Sequence, residues 1–181
     1  MSSSSNLAVL LVDGYNAIGR WPELRRVRDR DGYEDARRAL TEHLVNYASF
    51  QSIETHLVFD AQLRDMRATR EQVTSTCFVH FTDMDCTADT YIEKFCARRR
   101  QDRTRSDRTI VATSDRAQQL TVIGYGAEWM SVEQLEADVR LTAQRASRKR
   151  KPASKRTAKG SLMHRLNPEA QAKLAAMRFG N

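Results

Sequence analysis

The spacing of apolar positions changes character several times along the chain. Leu7 to Val12 is an unbroken apolar run with no period of two, the pattern of a strand buried on both faces of a parallel sheet. Asp13-Gly14-Tyr15-Asn16 ends it as a turn. Ala36, Leu40, Leu44, Val45 and Ala48 then recur at helical spacing, which predicts an amphipathic helix over 34–50. A second strand is expected over 56–59, ending in Asp60, and a third over 77–81. The polar, Arg-rich stretch 61–75 between them reads as a loop or an irregular helix. Thr87 is placed to cap a helix over 88–99, whose Ala88, Ile92, Phe95 and Cys96 form one stripe. After a charged connection (98–108) a fourth strand spans 109–112, followed by Thr113-Ser114-Asp115 and a short helix over 115–120. Gly124-Tyr125-Gly126 reads as a turn and 129–130 as a fifth strand, after which Ser131 caps a helix running through Leu135, Val139 and Thr142. Strand and helix alternate, so the expected fold class is α/β, a mostly parallel central sheet flanked by helices. The expected organisation is a disordered start (1–6), one domain (7–145) and a basic, partly disordered extension (146–181) that regains a short helix over 162–179.

Charge sharpens this division. The 181 residues carry a net charge of +7. Residues 1–138 hold 18 Lys and Arg against 22 Asp and Glu, whereas residues 139–181 hold 12 against one, so an acidic body carries a strongly basic tail. That asymmetry suits a chain that touches phosphates. Apolar residues at 40% and charged residues at 29% exclude wholesale disorder, and no apolar run approaches the ~20 residues that span a bilayer, so no membrane partner is expected. Three cysteines without a CxxC pair suit a reducing interior better than a disulfide scaffold, and a start without a secretory h-region leads to the same expectation. The expectation is the cytoplasm, or the chloroplast stroma if the Ser-rich start is a trimmed transit peptide.

In an open parallel sheet, ligands bind at the carboxyl ends of the strands. The acids there are Asp13 after the first strand, Asp60 after the second and Asp115 just past the fourth. Asp89 opens the helix after the third strand, and Glu93, four residues on, shares its face. Carboxylates crowded on one edge repel each other unless a cation sits between them. An oxygen-only set suits Mg²⁺ or Mn²⁺, which can activate water and stabilise the departing oxygen in phosphodiester cleavage. On spacing alone each acid has a plainer reading. Asp13 fits a turn residue, Asp115 an N-cap, Asp89 a first-turn acid, Asp60 a common strand end and Glu93 a surface acid. Asn16 fits a turn residue, or an amide that orients water or phosphate beside Asp13. The chain has no GxxxxGK[ST], GxGxxG or GxSxG motif, which leaves a phosphate-cradling loop or a serine nucleophile unsupported.

The segments Leu10-Leu11-Val12-Asp13-Gly14-Tyr15-Asn16, Val58-Phe59-Asp60-Ala61, Thr87-Ala88-Asp89 with Ile92-Glu93-Lys94, and Ala112-Thr113-Ser114-Asp115, in this order, resemble the NYN-domain proteins of the YacP-like family. Gly126-Ala127 and the Ser131 helix start continue a resemblance that covers roughly residues 7–145. It implies a PIN-like fold and a metal-dependent endoribonuclease associated with ribosomes and mRNA turnover in bacteria and plastids. It also implies that Asp13, Asn16, Asp89 and Asp115 form the catalytic site. Asp13, Asp89 and Asp115 would hold Mg²⁺ or Mn²⁺, with Asp60, Glu93 and Ser114 close by. Asp85-Cys86, just before Thr87, is a departure, since an acidic or polar residue is expected next to the threonine.

Apart from the resemblance, the basic segments suit RNA. Phosphate neutralisation by Lys and Arg gives strong, sequence-blind, salt-sensitive binding. Arg148, Lys149, Arg150, Lys151, Lys155, Arg156 and Lys159 form the main cluster, and Arg98, Arg99, Arg100, Arg103, Arg105 and Arg108 a second. Tyr15 and Trp21 flank the first motif and suit stacking on unpaired bases, or ordinary packing of a loop. The second cluster also fits a solvated helix end, and the first a targeting or solubilising tail. The expected function is cleavage of RNA, mRNA at the ribosome in particular. The alternatives are an RNA- or ribosome-binding protein with an idle site, and a processing nuclease for stable RNA precursors.

Overall fold

The structure, a computed structural model, describes residues 8–61, 68–102 and 107–150. In chain order the elements are β1 (Ala8–Asp13), α1 (Gly14–Arg20), α2 (Pro22–Asp31), α3 (Tyr33–Gln51), β2 (Glu54–Phe59), β3 (Thr69–Gln72), β4 (Cys77–Phe81), α4 (Ala88–Gln101), β5 (Arg108–Ala112), α5 (Arg116–Gly124), β6 (Glu128–Met130) and α6 (Val132–Arg150). Leu7, the start of the chain, Arg103, Arg105, Lys151, Lys155, Arg156, Lys159 and the expected terminal helix lie outside the described residues, and of Lys149 and Arg150 only the backbone is described. Contacts divide the chain into Met1–Ala146 and Ser147–Asn181, and the sheet, α1 to α5 and α6 as far as Ala146 belong to the first unit.

The unbroken apolar run of β1 has the role its pattern predicts. β1 lies inside a six-stranded sheet of order β3-β4-β2-β1-β5-β6. It pairs in parallel with β2 (Leu11 opposite His56) and with β5 (Leu11 opposite Val111). Leu10 and Val12 bury on one face with Ile18, Leu40, Leu44 and Leu135 from α1, α3 and α6. Leu11, Val58 and Val111 bury on the other with Ile92 and Cys96 of α4 and Val122 of α5. Helices on both faces account for the absence of polar alternation along the strand.

Four elements depart from the sequence reading. Asp13-Gly14-Tyr15-Asn16 is no free-standing turn but the N-cap and first turn of α1, with the Asn16 amide donating to Asp13 Oδ1 at 3.1 Å. α2 was not foreseen because it is mostly charged and buries only Leu24, so it carries no periodic signal. β3 falls in the segment expected to be loop or irregular helix. It is an antiparallel edge strand with all four residues exposed, and edge pairing is a backbone property without an apolar signature. α6 continues to Arg150, past Arg145 where the linker was expected to begin, since Arg, Lys, Ala and Gln sustain a helix after its buried positions end. Among the described residues no helix is long and apolar enough to cross a membrane.

Gly14 lets α1 start hard against β2. A Cβ on Gly14 would come far inside van der Waals contact with the Phe59 ring. Gly14→Ala therefore forces the ring or the first turn of α1 to move. Thermal unfolding should show a loss of about 1–3 kcal/mol, and an unchanged Tm would show that this close approach is not a constraint.

Candidate active site

β1 sends its connection to β2 on one side, and the chain later crosses to β5 on the other, which opens a crevice at the carboxyl ends of β1 and β5. Three helices begin at this edge, each with a side-chain cap. Asp13 caps α1, Thr87 caps α4 by accepting from the Thr90 amide at 3.1 Å, and Asp115 caps α5 by accepting from the Ala117 and Gln118 amides at 2.7 and 3.0 Å. Capping at Asp115 uses Oδ1, and Oδ2 takes no hydrogen bond among the described residues.

Asn16 bridges the crevice, its Oδ1 accepting from the Ser114 amide at 3.0 Å. Ser114 Oγ donates to Glu133 Oε2 at 2.7 Å, and the Val132 amide donates to Ser114 Oγ at 3.4 Å. Amide and serine thus tie α1, the β5–α5 loop and α6 together. α4 is seated by a second chain of polar groups. Glu54 Oε1 meets His56 Nε2 at 2.7 Å, His56 Nδ1 meets His80 Nε2 at 2.8 Å, and His80 Nδ1 meets the Tyr91 hydroxyl at 3.0 Å. Burial lowers the pKa of both histidines, His80 to about 4 with help from the neighbouring His56, so the chain is uncharged on its imidazoles at neutral pH.

A cavity of about 480 Å³ opens at this edge, lined by Asp13, Asp60 and Asp89 with Asn16, Thr87, Tyr15 and Tyr33. Three carboxylates and no described basic side chain line it. Burial, together with the charges of Asp89 and Asp60, raises the Asp13 pKa from 3.8 to about 6, against the lowering effect of the Asn16 and Tyr15 amides. Burial and the charges of Asp115, Glu93 and Asp60 also raise that of Asp89. All three acids are within electrostatic reach of Asp89, but Asp115 is exposed and, like Glu93, does not line the cavity.

The chain matches the YacP-like NYN domain over residues 10–179. It belongs to the YacP-like NYN family. It is similar to the uncharacterized protein YacP of Bacillus subtilis (strain 168), 34% identical over 153 residues that cover 81% of this chain and 87% of the relative. The crystal structure of Rae1 (YacP) from Bacillus subtilis aligns with a TM-score of 0.64 at 29% identity, over 94% of this chain and 87% of that one. A mutant of the same protein gives 0.67 at 28% identity, over 93% and 99%. The fold is therefore PIN-like, and the family's domain is nuclease-like.

Within this YacP-like domain the structure brings Asp13, Asn16, Asp60 and Asp89 together, with Asp115, Glu93 and Ser114 at the margin. Trp21 is corrected: it is 2% exposed, and its Nε1 donates to the Val132 carbonyl at 2.7 Å, so it is a core residue and offers no face to a base. Arg98, Arg99 and Arg100, expected as part of a second basic cluster, stand away from the acidic edge. α4 runs back along the sheet and carries Arg99 about 15 Å from Asp89 at 1.5 Å per residue. There Arg99 pairs with Asp107 at 2.5 Å and donates to Thr109 Oγ1 at 2.9 Å, beside the amino end of β5. Arg100 donates to the Gly124 carbonyl, and the exposed Arg98 donates to the Lys94 carbonyl. Tyr15 is half-buried at the cavity wall, its hydroxyl accepting from Arg37 at 3.0 Å. Tyr33 and Glu133 were missed. Tyr33 lies outside every motif, and Glu133 showed only its place after the Ser131 helix start.

The donor set suits a hard divalent cation: its charged groups are carboxylates, and no described basic side chain lines the cavity. Among the described residues no three His, Cys, Asp or Glu side chains form a ready metal cluster. Such cations are commonly held by one or two carboxylates, waters and substrate phosphate rather than by an all-protein cage.

The raised Asp13 pKa carries a sign. The proton on Asp13 stabilises the fold below about pH 4, and this stabilisation is lost as pH rises through about 6. In chelator, Asp13→Asn should therefore be more stable than the parent at pH 7.5 by about 1–3 kcal/mol. The difference should close towards pH 4.5 in a Tm series, and equal Tm values at pH 7.5 would show that the ionised Asp13 carries no strain.

Proposed function

We propose that the protein is a divalent-cation-dependent endoribonuclease acting on RNA, with mRNA at the ribosome as its setting. The observation that carries this reading is the open cavity walled by the three carboxylates of Asp13, Asp60 and Asp89, in a nuclease-like domain. Asp13 and Asp89 would hold Mg²⁺ or Mn²⁺, with Asp115 contributing across the crevice. Bound there, the cation would supply Lewis-acid stabilisation of the phosphodiester under attack by water. Asn16, fixed through its Oδ1 by the Ser114 amide, keeps its Nδ2 hydrogens for a phosphate oxygen. Asp60 adds to the field that draws the cation in, as does Glu93, whose negative charge makes ionisation of Asp89 costlier until a cation is bound.

The basic residues from Arg148 onward would bring in the polyanion that the acidic edge alone repels. A second reading, RNA binding with an idle site, draws on Asp115, which is exposed and committed to capping α5.

Cleavage of structured and single-stranded RNA with Mg²⁺, Mn²⁺ or chelator separates the two readings. The nuclease reading expects cleavage that chelator abolishes. It also expects Asp13→Asn and Asp89→Asn to lose at least about 100-fold in rate while RNA binding survives. Unchanged cleavage by both variants would sink the metal site, and absence of cleavage in every metal would favour the idle one.

Ribosome co-sedimentation across a salt series should show release as salt rises. Replacing Arg148, Lys149, Arg150 and Lys151 with Ala should reduce the log–log slope by about 3, and an unaltered slope would remove the tail from the interface.

A further inference from the structure

We propose that Tyr33 is a stacking platform for an unpaired nucleobase, which makes single-stranded RNA the form of substrate that the cavity accepts. The inference rests on the reading of the cavity as an RNA site. Tyr33 forms one wall of the same cavity as Asp13, Asp60 and Asp89. It is 41% exposed and contributes to neither buried cluster, so core packing does not account for its ring.

The ring is nevertheless held from several sides. Tyr15 meets it at 5.5 Å between centroids with the planes at 90°, an edge-to-face contact. Tyr15 is itself fixed by Phe59 at 5.2 Å and by the Arg37 hydrogen bond, and Arg37 stands one turn after Tyr33 on α3. The Arg28 guanidinium lies 5.9 Å from the Tyr33 centroid. Gly32, at φ +92°, turns the corner between α2 and α3 in a conformation that L side chains rarely adopt, and its carbonyl accepts from the Ala36 amide at 3.2 Å. An aromatic ring fixed in place and left open has lost its freedom before a ligand arrives, which favours stacking.

The chemistry divides the cavity. Its carboxylate side repels a phosphate unless a cation intervenes, whereas a neutral base is not repelled and has a π face for Tyr33. A base inside a duplex is already stacked and paired and offers no such face. Every base has one, so the platform selects strandedness without selecting sequence.

The test uses full-length protein carrying Asp89→Asn, with Mg²⁺, so that the probe is not consumed. The probe is a short oligoribonucleotide with 2-aminopurine, offered as a single strand and as a duplex. Fluorescence quenching on binding is expected for the single strand and not for the duplex. Adding Tyr33→Ala should weaken single-strand binding roughly tenfold and abolish the quench. Tyr33→Phe should restore both, and the duplex affinity should not respond to either change. A matched Tm for the Tyr33→Ala variant confirms that the exposed site tolerates the change.

Unchanged single-strand affinity and quench in Tyr33→Ala would overturn the platform, as would equal quenching of the duplex or no quench in the Asp89→Asn protein itself. These readouts do not depend on turnover. If the parent protein proves unable to cleave while the quench pattern holds, the nuclease reading fails and the platform stands.

Discussion

Negative charge confined at one edge of the sheet is the constraint to which the rest of the structure answers. Asp13, Asp60 and Asp89 share a cavity with no described cation on its wall, and Asp115 and Glu93 add their fields from the margin. Burial makes the ionised form of Asp13 costly enough to raise its pKa to about 6. A protein selected for stability alone would neutralise such a site with an Arg or replace the acids. Keeping Asp13 buried among like charges costs free energy that a bound divalent cation would return, and this is the kind of local conflict expected at functional sites.

The surroundings keep those acids from moving apart. Parallel strands buried on both faces fix the carboxyl edge, and the caps of α1, α4 and α5 set three helix starts at it. Asn16 and Ser114 then close the crevice between β1 and β5, so the amide serves as a structural tie as well as a candidate ligand-orienting group. The Glu54–His56–His80–Tyr91 chain, buried at its two histidines, does the same beside α4, where it holds that helix and with it Asp89 to β2 and β4. Capping and ligation are compatible roles for one carboxylate, since capping of α5 occupies a single oxygen of Asp115.

The charge division along the chain gains meaning from this arrangement. The acidic surplus of residues 1–138 includes the groups that would hold a cation, and the basic residues beyond Val139 would supply the attraction that these groups cannot. The arginines at the end of α4 lie elsewhere, away from the acidic edge. Arg99 is tied to Asp107 and Thr109 at the amino edge of the sheet, ten residues of helix away from Asp89.

The sequence alone determined the alternation of strand and helix, the double burial of β1, the cap at Thr87 and the set of acids at one edge, because apolar period and strand-end position are local properties written along the chain. It did not show α2 or β3, whose residues are charged or exposed and carry no burial pattern. Nor could it decide between the two readings of Trp21, whose indole meets a carbonyl 111 residues away. Which acids share a cavity, how burial and mutual repulsion act on Asp13, and that Tyr33 rather than Trp21 stands open beside it were decided only by tertiary structure. Those properties depend on distances between segments far apart in the chain, and no spacing along one strand or helix encodes them.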